Sequence, residues 1–139
     1  MATNSKEIKI PAKVEQLSTV QSFIEEILDS AGASMKASMQ ISLAVEEVFV
    51  NIASYAYGGK DGDATIKVET DTDHSQVRIT FIDSGVPFDP LKKEDPDVTL
   101  SASERDVGGL GIFLTKKTMD DVKYVNQDGK NILTISKII

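Results

Sequence analysis

Two hairpins constrain this fold more than any other feature of the chain. Ala64 to Thr70 alternates with Ile66 and Val68 inward, Asp71 to His74 turns, and Gln76 to Asp83 returns. Val122 to Asn126 and Asn131 to Lys137 flank Asp128-Gly129, the sequence of a type I′ turn. Hairpins build antiparallel sheet, and the apolar face of a sheet must be covered. The available covers are helical. Val14 to Ser30 places Leu17, Val20, Ile24, Ile27 and Leu28 on one face, with Gly32 set as a C-terminal cap. A second helix, capped by Ser34, is expected to run to about Tyr57, where Gly58-Gly59 and Asp61-Gly62 stop it. A third spans Gly109 to Met119, and Glu7 to Pro11 reads as a short first strand. The expected fold is an α/β (α+β) two-layer sandwich: a mixed, mainly antiparallel sheet covered on one face by about three helices. At 139 residues and 40% hydrophobic, residues 1–139 are expected to form one domain with its own core.

Composition narrows the function. The chain has no cysteine, which rules out disulfides and thiolate chemistry. A net charge of -7 without a Lys/Arg cluster argues against nucleic-acid backbones and anionic membranes. It leaves ATP open, because backbone amides and a metal ion usually meet its phosphates. The start, MATNSKEIKIPAKVEQ, lacks the apolar run of a signal peptide and no stretch approaches membrane-spanning length, so a cytosolic location is expected.

Chemistry concentrates in three segments. On the second helix, Ile41, Ala44, Val45, Val48 and Ile52 form a core-facing stripe, and Glu47 and Asn51 stand one turn apart on its flank. Val77, Ile79 and Phe81 share a strand face, and period two points Asp83 the same way, where a buried acid needs a partner. Ser84-Gly85-Val86-Pro87 then breaks the strand and opens a polar, proline-broken loop of about twenty residues. It ends in Val107-Gly108-Gly109-Leu110-Gly111-Ile112, where a helix begins through glycines and its free N–H groups could hold phosphate oxygens. Taken singly, the glycines could be a plain loop-helix junction and Asp83-Ser84-Gly85 a plain turn.

Together and in this order, the segments resemble the GHKL ATPases of the Bergerat fold, over nearly the whole chain. Glu47-x-x-x-Asn51 is similar to that family's N box, Asp83-x-Gly85 to its first glycine box and Gly109-Leu110-Gly111 to its second. The phrases EEVFVN, DSGVPFDP and GGLGIFL are most similar to bacterial anti-sigma-factor serine kinases. The resemblance implies ATP and Mg²⁺ as cofactors, a small anti-sigma antagonist protein as substrate, a sigma factor as a further partner, and a homodimer. It implies that Asp83 accepts from the adenine amino group and that Gly85 lets the base lie against the backbone. Asn51 would coordinate Mg²⁺. Gly109 and Gly111, with the amides of Leu110 and Ile112, would hold the phosphate tail. Arg105 would reach a phosphate from a lid over residues 87–107, and Glu47 would be the general base. Two positions depart from the pattern. Tyr55 stands where many members carry His, and Gly129-Lys130-Asn131 replaces the final Gly-x-Thr, leaving Asn131 to hydrogen-bond.

Other residues read as structural. His74 is a solvated turn residue, Met35 and Met39 are core or edge packing, and Lys92-Lys93 and Lys116-Lys117 are solvated, though Lys92 could contact ATP from the lid. Two functions stay open: a serine/threonine kinase that also sequesters a regulatory partner, and a nucleotide-gated adaptor without transfer. A catalytic domain detached from a sensor histidine kinase is disfavoured, because thirteen leading residues leave no room for a histidine-bearing dimerisation helix.

Overall fold

Alternation along the strands decides the sheet. In the computed structural model, which describes residues 3–87, Asp89, Leu91 and 109–139, the strands are β1 (Thr3–Pro11), β2 (Asp63–Asp71), β3 (Gln76–Asp83), β4 (Asp121–Gln127) and β5 (Lys130–Ile138). They pair in the order β1-β2-β3-β5-β4, every pairing antiparallel, which narrows the expected mixed sheet. Ala64, Ile66, Val68, Val77, Ile79, Phe81, Leu133 and Ile135 are buried on one face. The β4–β5 turn has positive φ at both Asp128 and Gly129, as a type I′ turn requires. β1 begins at Thr3 rather than Glu7; its first half is polar and exposed, so pairing with β2 forms it without a hydrophobic signal.

Helices α1 (Leu17–Ser30) and α2 (Met35–Asn51) bury Val20, Ile24, Ile41, Val45, Val48 and Phe49 into one core with that face. Ser34 Oγ accepts from Ala37 N at 3.1 Å and caps α2. The third helix, α3 (Gly109–Thr118), lies against α2. Among the described residues, no helix is long and apolar enough to cross a membrane.

Two expectations change. The second helix does not stay α-helical to Tyr57: after Asn51 it widens into a π-helical turn, Ile52–Ala56, from which Ala56 O accepts from Val86 N at 2.7 Å. Met35 and Met39 are not core, being 85% and 62% exposed. They recur with Leu43 every four residues and so lie on a face other than the buried stripe. The lid expected over residues 87–107, with Lys92 and Arg105, lies outside the described residues except for Pro87, Asp89 and Leu91.

Candidate functional site

The strand order brings distant polar residues into one row. Because β5 sits between β3 and β4, Asn131 is registered opposite Asp83 on one side and opposite Asn126 on the other. Asn131 Nδ2 donates to Asp83 Oδ1 at 2.9 Å and to Val86 O at 2.9 Å. Asn131 Oδ1 accepts from the Tyr124 hydroxyl and from Asn126 Nδ2 at 3.1 Å. Both ends of that amide are therefore committed to protein. Asp83 is 6% exposed, and its Oδ1 also accepts from Gly85 N at 2.9 Å. Among the described residues Oδ2 accepts nothing, and no fully buried side-chain oxygen lacks a partner. Oδ2 is thus the acceptor that Asp83 presents to the adjoining cleft.

That cleft lies between α2, the π-helical turn, the ends of β3 and β5, and α3. Val48, Ile52, Phe81, Val86, Ile112 and Leu133 supply apolar walls; Asn51, Asp83 and Asn131 supply the amides and the acid; Tyr55 and Tyr124 supply rings. An apolar slot with a few fixed polar groups suits a flat heterocycle with one hydrogen-bonding edge.

Gly85 packs against the π-helical turn. A Cβ there would stand 2.1 Å from Ala56 O and 2.5 Å from Ala56 C, so the close approach this glycine permits is to the π-helical turn. Tyr57 fastens the same corner, accepting from Ser84 N at 2.9 Å and donating to Asp63 O at 2.5 Å.

At the other end of the cleft Asn51 Nδ2 donates to Glu47 Oε1 at 3.2 Å, as one helical turn allows. Burial holds the Glu47 carboxyl above the usual carboxylate range; the Asn51 bond opposes this and neighbouring Glu46 adds to it. With Nδ2 taken, Asn51 Oδ1 is the atom left for a cation. Among the described residues no group of three or more His, Cys, Asp or Glu could hold a metal, so a hard ion here would need an amide oxygen together with oxygens of its ligand. Gly109, Leu110, Gly111 and Ile112 are the first four residues of α3, whose N–H groups have no intrahelical acceptor, and Ile112 lines the cleft.

The structure thus gathers Asn51, Asp83, Ile112 and Asn131 on one cleft, with Glu47 beside Asn51 and Gly85 against Ala56 of the π-helical turn; Arg105 is outside the described residues. Sequence reasoning missed Tyr124, Asn126, Val86 and Tyr57. Part of this could have been counted: a two-residue Asp128-Gly129 turn sets Asn126 opposite Asn131.

Residues 10–137 match the family described as Histidine kinase-like ATPase domain. The chain is 33% identical over 131 residues to the serine-protein kinase RsbW of Listeria monocytogenes serovar 1/2a, covering 91% of this chain and 82% of that one. It is 31% identical over 143 residues to the serine-protein kinase RsbW of Oceanobacillus iheyensis, covering 96% and 85%. Its fold matches the crystal structure of the RsbU and RsbW domains of Rv1364c from Mycobacterium tuberculosis at a TM-score of 0.68 and 17% identity. That match covers 96% of this chain and 32% of the other.

Proposed function

We propose, for a chain that belongs to the histidine kinase-like ATPase family, an ATP-dependent serine/threonine protein kinase of the anti-sigma-factor type. Its substrate is a small anti-sigma antagonist protein, and it also binds a regulatory partner, a sigma factor, as a cytosolic homodimer. The observation that carries this reading is the gathering of Asn51, Asp83, Ile112 and Asn131 on one cleft beside Glu47.

In this reading Asp83 Oδ2 accepts from the adenine amino group while Phe81, Val86 and Leu133 flank the base. Asn131 acts by positioning: its amide fixes Asp83 and the turn at Val86. The α3 amides from Gly109 to Ile112 hold phosphate oxygens, and Arg105 joins them from the lid. Asn51 Oδ1 holds Mg²⁺ with those oxygens, and the ion's part is to neutralise developing phosphate charge. Glu47 takes the proton of the acceptor hydroxyl as it attacks; a carboxylate raised toward neutrality accepts a proton more readily than an ordinary one.

One feature favours the adaptor that binds ATP without transfer: Tyr55, rather than His, lines the cleft. Incubation with γ-labelled ATP, Mg²⁺ and an antagonist protein encoded beside this chain separates the two. Label on an antagonist serine or threonine supports the kinase. Tight ATP binding with no label on any antagonist supports the adaptor.

A further inference from the structure

Helix α3 runs back along α2: Ile112 reaches the cleft at Asn51, Leu114 lies beside Leu43 and Val50, and Thr118 lies near Ser34 and Lys36. Two open hollows follow this seam. The first is lined by Leu43, Val50, Leu114, Glu47 and Thr118 among others. The second has Lys36, Lys117 and Lys137 around Thr118. Thr118 lines both, so they adjoin at this residue. Glu47 lines the first, and its hydrogen-bond partner Asn51 lines the cleft, so the seam ends where the proposed chemistry begins.

The far mouth is basic in a chain of net charge -7. Among the described residues its only acid, Asp120, already accepts from Ile138 N at 2.6 Å. Among the described residues no ion pair engages its lysines: Lys117 Nζ lies 5.5 Å from the Phe113 ring centre and Lys137 donates to Thr118 O at 2.7 Å. The positive end of α2, capped by Ser34, faces the same mouth. The complement of such a mouth is an acidic side chain. The middle asks for something else, because Leu43 and Leu114 are 66% and 50% exposed there and call for an apolar side chain.

We infer that this seam docks an extended polypeptide segment bearing the acceptor hydroxyl, with an apolar residue next to it and an acidic anchor about five residues away. The inference rests on the kinase reading. The spacing follows from geometry. Lys36 and Glu47 are eleven residues apart on α2, about 16 Å at 1.5 Å per residue, which an extended chain spans in about five residues. A free anion would need only the mouth; the apolar middle favours a peptide.

The test uses the full chain, saturating Mg²⁺·ATP analogue and fluorescein-labelled synthetic peptides. Each peptide carries one Ser, a neighbouring Leu and a Glu-Glu pair about two, five or eight residues away on either side, with a Lys-Lys control at the middle spacing. Anisotropy should show the middle spacing binding best, about tenfold over the Lys-Lys control. Lys36→Glu with Lys117→Glu should reverse that charge preference, and Leu43→Asn should weaken all peptides alike. Binding that ignores the position of the acidic pair, survives the charge reversal, or is absent for every peptide overturns the inference. Calorimetry with ATP on the same lysine variant keeps the two claims apart. Unchanged nucleotide affinity with lost peptide preference supports the track. Failure of the unsubstituted protein to bind ATP refutes the kinase reading, whatever the peptides do.

Discussion

Glu47 carries two opposed demands, and Glu47→Gln separates them. Its carboxyl is raised above its ordinary range by burial, so the folded chain holds that proton more tightly than the unfolded one. The group therefore supports the fold below the ordinary carboxylate range and works against it once pH passes the raised value. Glu47→Gln should melt higher than the parent at neutral pH, with the difference closing on acidification; a lower Tm at neutral pH would contradict the burial argument. The amide can still accept from Asn51, so nucleotide affinity should hold. Phosphorylation should fall about 10²–10⁴-fold, the usual contribution of a general base. Transfer at the parent rate would remove Glu47 from that role. Asp83→Asn tests the opposite end of the cleft. It replaces a charged acceptor by an amide, and ATP should bind roughly 10- to 100-fold more weakly by calorimetry. Equal affinity would detach Asp83 from the nucleotide.

The junction between the π-helical turn and the end of β3 holds the cleft's shape. Gly85 is its tightest point, since any Cβ would overlap backbone of Ala56. Gly85→Ala should cost on the order of 2–3 kcal/mol in urea unfolding and weaken nucleotide binding with it. A variant of parent stability would show that the turn yields. Period two placed Asp83 on the buried face, and the Asp128-Gly129 turn fixed the last hairpin, because both are local rules. The π-helical turn was not legible: Ile52 to Ala56 continues the helical pattern, and the bond that Ala56 O accepts from Val86 N comes from a distant segment. Met35 and Met39 misled for a related reason, since hydrophobicity names residues that can be buried without saying which face meets the core. Arg105 and the lid depend on long polar sequence with no periodicity to constrain it.

Across the molecule, one sheet row and the facing ends of two helices converge from segments far apart in the chain. Asp83 and Asn131 are neighbours only because β5 inserts between β3 and β4, and that order is a property of the whole sheet. Likewise α3 must lie along α2 for Ile112 to face Asn51. The proposed site is therefore a consequence of tertiary topology, and a ligand bound there should be felt by all these elements together. Titration of ¹⁵N-labelled protein with Mg²⁺·ADP, followed by amide chemical shifts, reads this directly. The largest shifts are expected at Asn51, Gly85, Val86, Ile112 and Asn131, saturating with one common affinity. Shifts that miss these amides, or no shifts at all, would contradict the assignment of this cleft to ATP.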